Sequence, residues 1–593
     1  MAEKILKEEV DISIKRHSLS HVLAYAIREL YPNVKLAIGP AIDNGFYYDL
    51  DLGDAKIGET ELKEIEKKMA YFIKQNLKFE KSEISIAEAI KREEGQGEIY
   101  KAEILNDLKA QGETVVSYYQ VGSFQDLCRG PHIVNTNQIK PGSYRLDKLA
   151  GAYWRGDEKN QMLTRIYGLA FETREELDDY LKMVAEAEKR DHRKLGKELN
   201  LFIFSDLVGK GLPLWTEKGS VIRRELERFI VDEEIKRGYR HVYTPDIARL
   251  ELYKTSGHYP YYKDSMYAPI KIDEDEFMLR PMTCPHHFEL YKSKQHSYRD
   301  MPVRIAELAK LYRYEQSGEL TGLIRVRNFC LADAHIVARL DQAEDEINRA
   351  LDLIEYAVKV LGFEANKDYR YRLSLGDRSD EAKYYKDDAA WENAEAALRN
   401  VLKGRAVDSY EAAGEAAFYG PKIDIQMKNV FGKEDTAFTV QYDFVMPKRF
   451  NLEYTNEDGK AEEPIVIHRS SIGAIERIIA FIIEKYAGAF PLWLSPVQVQ
   501  LIAVGESHVA HCQKLAEELR VSGIRSEVDG SDLTVGNKIR KAVNEKIPYM
   551  LVIGDKEVDS SSLSVRVRGS QDTVEYQKDA FIQKLVADLK SYL

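Results

Sequence analysis

The chain has 593 residues, 44% hydrophobic and 31% charged, with a net charge of -12, which fits a soluble protein of roughly four domains. No apolar run reaches about 18 residues and the first residues lack an apolar signal-peptide core, so neither a membrane partner nor export is expected. The four cysteines, Cys128, Cys284, Cys330 and Cys512, make no disulfide framework and fit a cytoplasmic location. The acidic balance leaves any nucleic-acid partner to local basic patches, and DNA is not expected as one.

In chain order, residues 17–31, HSLSHVLAYAIRELY, read as an amphipathic helix with His17 and His21 on one face. A hairpin follows, with Asn44-Gly45 as its turn signal, then helices at 59–75 and 84–94. The segment SYYQVGSFQDLCRGPHIVNT offers Asp126, Cys128 and His132 around a Gly130-Pro131 turn, before strands at 143–149 and 162–170. Two histidines at helical spacing with a distant Cys and His have zinc-ligand types. The same residues also suit helix histidines without a ligand, or a hydrolytic pocket that orients water.

Thr173 to about Leu199 reads as one long helix. Thr173 and Glu176 form a capping box, Leu177, Tyr180, Leu181 and Val184 make an apolar stripe, and the charged remainder places a boundary near 190. From about 200 to 490 the pattern is α/β: helix 219–237, strand 239–244 ending at Pro245, and Cys284 where a strand end leads into a helix. Residues 304–335 read as strand, polar loop and strand. The first strand covers 303–314, the loop 315–322, and the return strand carries Arg325, Arg327, Phe329 and Asp333. Arg313, Glu315, Arg325 and Phe329 on one sheet face suit a nucleoside triphosphate: guanidiniums for phosphate, a carboxylate for an exocyclic amine, and a ring for a base. A hairpin with solvated arginines fits the same pattern. Beyond it come helix 341–361, strands at 369–375, 422–429 and 436–446, and a short strand with His468. An apolar, glycine-broken helix then carries Arg477, whose burial requires an anionic partner. Residues 496–593 alternate as strand 497–504, helix 507–521, strand 524–529, helix 534–546, strands 549–554 and 562–568, and helix 577–592. That order predicts a mainly parallel sheet with helices on both faces. Lys538, Arg540, Lys541, Lys546, Arg566 and Arg568 make an anion-binding surface or ordinary solvated charge.

The motif RYEQSG, with LIRVRNF and DAH after it, resembles motif 2 of the class II aminoacyl-tRNA synthetases. IGAIERIIAFIIE with Arg477 resembles their motif 3, and the helix and strand ending at Pro245 resemble motif 1, the dimer-forming element. MTCPHH, DAHI, AAFYGPKIDI, TVQYDF and IVIHR match the threonyl-tRNA synthetase family within that class. HSLSH, IGPAIDNGFYYD and DLCRGPH resemble its editing domain, and VGNKIRKAVNEKIPYMLVIGDKEV its anticodon-binding domain. Only 16 residues precede His17, where family members often carry a small ubiquitin-like domain.

The resemblance implies a multidomain α/β and α+β fold with an antiparallel-sheet catalytic core at 200–490. It implies an α+β editing domain at 1–190, with a linker helix to about 200, and an α/β anticodon-binding domain at 495–593. It implies a homodimer that activates L-threonine with ATP and Mg2+ and transfers it to tRNA(Thr). Cys284, His335 and His468 would hold one Zn2+ per subunit, open to the amino group and hydroxyl of threonine. Valine lacks the hydroxyl and would be rejected by about 10⁴ or more, whereas serine loses only a methyl group, worth about 1–3 kcal/mol. Serine is therefore misactivated, and a second, hydrolytic site is required. His17, His21, Asp126, Cys128 and His132 would supply it, positioning water against Ser-tRNA(Thr) without a metal.

By the same resemblance, Arg313 and Arg477 are catalytic. Arg313 meets the α-phosphate and carboxylate, while Arg325 and Arg477 meet the β/γ-phosphates. Glu315 and Phe329 bind adenine, Asp333 the threonine hydroxyl or ammonium, and Tyr419 and Gln441 line the amino-acid and adenylate pocket. Lys546, Glu557 and Arg566 would face the anticodon. The chain departs from the family pattern at Leu331, where Gln is usual, and at Thr436-Ala437-Phe438, where Trp-Gln-Cys is common. Ser470-Ser471-Ile472-Gly473 replaces Ala-Ile-Leu-Gly, and Lys546 and Asp532 replace an arginine and an asparagine.

Overall fold

The computed structural model describes residues 11–53 and 55–592; residues 1–10, counted with the editing domain above, lie outside them. The chain divides into two compact units, one ending at Ala185 and one starting at Glu186.

In the first unit, Asp11 sets the start of helix Ile12–Leu30. Its carboxylate accepts from the Ser13 N–H at 2.8 Å, so the helix begins a turn before His17. Leu19, Val22, Leu23, Ala26 and Ile27 are buried in a core shared with strand Gly45–Asp51 and helix Glu59–Lys74. Asn44, at φ 63°, makes the turn into Gly45–Asp51. That strand pairs antiparallel with Met162–Ala170, which pairs with Tyr144–Tyr153. A second sheet, Phe79–Ser85, Val115–Val121 and Phe124–Leu127, carries Asp126 and leads straight into Cys128. Strand Phe79–Ser85 and helix Ile99–Ala110 were not read from sequence, and helix Ile86–Gln96 starts two residues later than expected.

The single helix expected from Thr173 to Leu199 is two, Arg174–Arg190 and His192–Glu198. Asp191 breaks it: in non-helical conformation, its carboxylate caps the second helix by accepting from the Arg193 N–H at 2.8 Å.

The second unit is built on an eight-stranded sheet. Its order is Arg240–His241, Val303–Tyr312, Asn328–Ala338, Ile465–Ala474, Glu434–Asp443, Lys422–Lys428, Tyr369–Leu375 and Ser409–Ala413, antiparallel except for the parallel pairs at its two edges. Strand 239–244 is therefore only Arg240–His241. The return strand of the hairpin starts at Asn328, so Arg325 and Arg327 lie in the loop rather than on the strand, as does Arg313. Thr321 pairs back onto Arg325 and the Arg327 N–H donates to the Gly211 carbonyl at 2.8 Å, ending the ladder early. Behind the sheet lie helices Glu217–Lys236, Ala343–Val360 and Ile475–Tyr486. In the last, Ile478, Ile479, Ile482 and Ile483 are almost fully buried, each worth roughly 1.5–3 kcal/mol.

Residues beyond Val497 form a five-stranded sheet in the order Ser526–Asp529, Val499–Ala503, Tyr549–Ile553, Ser562–Val567, Thr573–Gln577. Only its first two pairings are parallel; the last two are antiparallel hairpin pairs. The expectation of a mainly parallel sheet is corrected accordingly, because strand Thr573–Gln577 was unread and its short connection permits only antiparallel return.

Candidate active site and hydrolytic pocket

The central sheet of the second unit aligns three side chains in one lateral row. His335 lies opposite His468, and His468 opposite Gln441. One step along, Asp333 lies opposite Ser470, and Ser470 opposite Thr439. The two-residue period of the strands puts both rows on one face. Cys284 reaches that face from the start of helix Cys284–Lys292. Sulfur and ring nitrogens of Cys284, His335 and His468 all lie within 4.8 Å of one another, and all three residues are buried.

Each histidine is braced from behind. The His468 Nε2–H donates to Asp443 at 2.7 Å. His335 Nδ1 lies 2.8 Å from His287 Nδ1, and His287 Nε2 lies 3.3 Å from Glu307. With a carboxylate at its far end, this chain places a proton on His287 Nε2 and on His335 Nδ1, freeing His335 Nε2. His468 Nδ1 and His335 Nε2 have no hydrogen-bond partner among the described residues. Burial, then the Asp333 and Asp443 carboxylates, push the Cys284 thiol well up; burial also pushes the Asp333 carboxyl up. A thiol and two imidazoles braced from behind are side chains of the types that could hold a metal ion.

These residues line a cavity of about 640 Å³ that also takes in Arg313, Glu315, Leu331, Tyr419, Gln441 and Ser470. The Tyr419 hydroxyl donates to Gln441 and its ring stacks on His468 at 4.9 Å. Arg313 is open to the cavity but enclosed by the cleft walls, which push its guanidinium down; it lies 5.1 Å from the centre of the Phe329 ring. Arg477 gives its Nε–H to the Ile324 carbonyl at 3.0 Å and another donor to Thr436 O. It forms no ion pair among the described residues, and burial, with Arg313 and Arg325 nearby, pushes it down as well. Arg325 is exposed, 3.7 Å from both Glu315 and Glu319. Phe329, Arg325 and Arg477 stand outside the cavity lining; Arg313, Glu315, Asp333, Tyr419, Gln441 and the three donors share it. Sequence reading missed His287, Glu307 and Asp443, although MTCPHH carries one of them.

The first unit holds a second cluster. His17, His21, Cys128 and His132 place one atom each within 4.8 Å of the others. Here the atoms face each other: Cys128 Sγ lies 3.3 Å from His17 Nε2 and 3.3 Å from His132 Nε2, and accepts from the Gly130 N–H at 3.2 Å. Ser18 donates to the Ile14 carbonyl, so it accepts from His132 Nδ1 at 3.1 Å. Burial pushes the Cys128 thiol up to about 11, His21 down to about 4, and His132 well down. Asp126 is buried; burial pushes its carboxyl up, but the Lys101 ammonium and His21 outweigh that and hold it low. Lys101 pairs with one Asp126 oxygen, and the Tyr48 hydroxyl donates to the other at 2.6 Å. His21 Nδ1 is 3.4 Å from the same carboxylate. A cavity of about 540 Å³ opens on His17, His21, Tyr48, Lys101, Asp126 and Cys128. His132 stands behind Cys128. Lys101 and Tyr48 were not read as site residues: Lys101 sits on an unread helix, and Tyr48 in IGPAIDNGFYYD had a visible motif but no assigned role.

Lys546, Glu557 and Arg566 lie on separate elements, and none hydrogen-bonds another. Glu557 caps its own short helix, accepting from the Gly554 N–H at 3.0 Å, and Arg566 donates to Ser570 O at 3.0 Å. Two of the expected surface cations are structural: Lys538 is buried and donates to Ala503 O at 2.7 Å, and Arg568 holds Lys546 O and Phe490 O.

Residues 267–486 match the tRNA synthetase class II core domain (G, H, P, S and T), and residues 498–588 an anticodon binding domain. Residues 116–167 match the threonyl and alanyl tRNA synthetase second additional domain. The chain is 50% identical over 580 residues to a threonine–tRNA ligase of Anoxybacillus flavithermus, covering 98% of this chain and 89% of the relative. It is 48% identical to that of Listeria monocytogenes serotype 4a, over 98% of this chain and 90% of the relative. Among solved structures, the RNA binding domain of threonyl-tRNA synthetase from Cryptosporidium parvum Iowa II matches with a TM-score of 0.64 at 35% identity, over 67% of this chain and 98% of that one. A putative threonyl-tRNA synthetase from Aeropyrum pernix matches with a TM-score of 0.59 at 30% identity, over 68% and 97%.

Proposed function

Because the chain belongs to the threonine–tRNA ligase family of class II aminoacyl-tRNA ligases and charges tRNA with threonine, we propose that Cys284, His335 and His468 hold one zinc ion beside the ATP site. The observation that carries this is the convergence of the three donors, with their free nitrogens, in the cavity that Arg313 and Gln441 also line. When bound, zinc supplies an electrophilic position for the amino and hydroxyl groups of threonine. Asp333 accepts from the ammonium or hydroxyl, and Tyr419 and Gln441 close that end of the pocket. Arg313 neutralises charge on the threonine carboxylate and α-phosphate during in-line attack. Arg325 and Arg477 take the β/γ-phosphates with Mg2+, Glu315 the adenine amine, and Phe329 the ring. Arg477, buried without an ion pair among the described residues and pushed down by burial with Arg313 and Arg325 near it, supports a polyanion such as a triphosphate at this end of the site.

His17, His21, Asp126, Cys128 and His132, with Lys101 and Tyr48, orient water against the ester of Ser-tRNA(Thr). The mutual spending of their nitrogens and sulfur on hydrogen bonds supports a metal-free site. Lys546, Glu557 and Arg566 face the anticodon. The functional domains are 1–190, 200–490 and 495–593, and the protein works in the cytoplasm as a homodimer joined through its motif 1 helix, Glu217–Lys236. No helix is long and apolar enough to cross a membrane among the described residues.

Amino-acid-dependent ATP–pyrophosphate exchange with Thr, Ser and Val, run beside metal analysis, tests this. The expected result is one zinc per chain, exchange with Thr and weaker exchange with Ser, and none with Val. Exchange with Val at the Thr rate, or full exchange in Cys284→Ala without bound zinc, would defeat it.

A further inference from the structure

One buried polar group lies outside the chemistry assigned above. Asp191, His192 and Glu484 bring a carboxylate, an imidazole and a second carboxylate within 4.8 Å. They are not a metal site, because their ligand atoms are already spent. Asp191 holds Arg193 and caps its own helix. His192 uses both ring nitrogens: Nδ1–H donates to Glu484 Oε1 at 2.7 Å, and Nε2 accepts from the backbone N–H of Leu323 at 3.1 Å. A backbone N–H can only donate, so the tautomer follows from the geometry. Glu484 spends its other oxygen on the Val430 N–H at 3.3 Å. His192 is 2% exposed and Glu484 4%.

Leu323 belongs to the loop that joins the two hairpin strands and carries Arg325. Next to it, the Ile324 carbonyl accepts from Arg477 Nε at 3.0 Å. Arg477 and Glu484 stand seven residues apart on the same helix, Ile475–Tyr486, and so on one face of it. That helix thus grips two consecutive residues of the loop. Arg477 takes the carbonyl of Ile324 directly, and Glu484 takes the N–H of Leu323 through the His192 ring. The fit leaves no slack: at Gly322, φ +48°, a Cβ would stand 2.1 Å from His192 Nε2. The Arg325 N–H then folds back on Thr321 O at 3.3 Å.

We infer that His192 is a positioning residue for ATP, fixing the loop from which Arg325 reaches the triphosphate. This rests on the reading of Arg325 as a phosphate ligand given above. Without the ring the loop keeps its Arg477 contact but loses the second, and Arg325 samples positions away from the phosphates. Threonine, held by the sheet rows, does not depend on that peptide.

The test separates the two bonds of the ring. His192→Ala removes both, His192→Asn keeps a donor for Glu484, and His192→Gln puts an acceptor where Nε2 was. Exchange kinetics are measured with the full chain, varying ATP and threonine separately, beside the thermal midpoint of each variant. Loss of one such bond predicts a rise in KM for ATP of about three- to tenfold in the Ala and Asn variants, with KM for threonine within about twofold of the parent. His192→Gln recovers most of the ATP affinity. Gly322→Ala, which crowds the ring without changing it, raises KM for ATP as well. The inference is overturned if His192→Ala leaves KM for ATP unchanged, or if both KM values and the thermal midpoint shift together in all three His192 variants. Arg325→Ala is the control: if it raises KM for ATP while His192→Ala does not, His192 alone is at fault. If Arg325→Ala has no effect, the phosphate reading of the loop falls, and the role of His192 with it.

Discussion

Glu307 offers a sharp test of how the zinc-type site is held. It is 2% exposed and accepts four hydrogen bonds. One oxygen takes Arg280 Nη1 at 3.0 Å and the Thr244 N–H at 3.2 Å; the other takes the Thr244 hydroxyl at 2.7 Å and His287 at 3.3 Å. In Glu307→Gln one of these oxygens becomes an NH2 group, and either flip turns it toward two donors. The buried Arg280 also loses a counter-charge, although Asp246 remains 3.0 Å away. Removing one partner of such a group costs about 3–5 kcal/mol. A second route gives a similar size. Burial pushes the Glu307 carboxyl up, but His287, Thr244 and Arg280 outweigh it and bring it from 4.5 to about 2. A carboxyl shifted that far contributes about 3 kcal/mol. Its folded value is depressed, so the contribution is complete above the unfolded value and is lost as pH falls from about 4.5 to about 2. Urea unfolding of parent and variant at pH 7 and pH 3 measures this. The variant is expected to be less stable by about 3 kcal/mol at pH 7, with a smaller gap at pH 3. Because His287 then no longer fixes the His335 tautomer, zinc should also be extracted by chelator about 10–100 times more readily. A variant within about 0.5 kcal/mol of the parent, or a gap that does not change with pH, refutes the reasoning.

Lys101→Met removes the ammonium paired with Asp126 and leaves a buried carboxylate uncompensated, so Ser-tRNA(Thr) hydrolysis should fall by at least about tenfold while threonine exchange is unchanged; equal hydrolysis would remove Lys101 from the site. Cys128→Ala takes away the sulfur that two imidazoles face. Single-turnover deacylation should slow, and a parental rate would show Cys128 to be a spacer. His21 is held down to about 4, chiefly by burial, so it is neutral when folded but takes a proton near 6.5 when unfolded. Stability of the first unit should therefore be level above pH 7 and decline as pH falls from 6.5 toward 4. Amide protection in helix Ile12–Leu30, corrected for intrinsic exchange, reports this, and equal protection at pH 7 and pH 5 would contradict it.

Long periodic elements were legible in the sequence because one force wrote them. The helix carrying His17 and His21, the hairpin at Asn44-Gly45 and the apolar helix with Arg477 all follow from burial and local turn chemistry. What failed was local competition. Asp191 outbids the helix because a carboxylate can satisfy an N–H that the helix would leave open. Arg325 and Arg327 looked like strand residues by alternation, but Thr321 and Gly211 take the backbone groups that the partner strand would need. The braces Glu307 and Asp443 were invisible for a different reason. Polar residues in strands carry no periodic signal that separates a buried hydrogen-bonded carboxylate from a solvated one. Only the register that sets His335 opposite His468 reveals which ones must be buried.

The two clusters also explain why similar side chains can serve opposite ends in one chain. Each joins a cysteine to histidines whose atoms converge within 4.8 Å. In the second unit the imidazoles are held from outside, by Asp443 and by His287, so that their inner nitrogens and the Cys284 sulfur remain free. In the first unit the inner nitrogens of His17 and His132 already point at the Cys128 sulfur, and the carboxylate is taken by Lys101, Tyr48 and His21. The outer bracing leaves donors that could hold the proposed metal, on which a hydroxyl would find a partner and a methyl would not. The inner hydrogen bonds leave a neutral polar wall suited to water. With the proposed metal bound, the first arrangement would separate threonine from valine through a missing polar contact but gain only about 1–3 kcal/mol against serine. On the proposed reading the second would supply the hydrolysis that this gap requires, and that division would depend on which side of each imidazole the protein occupies.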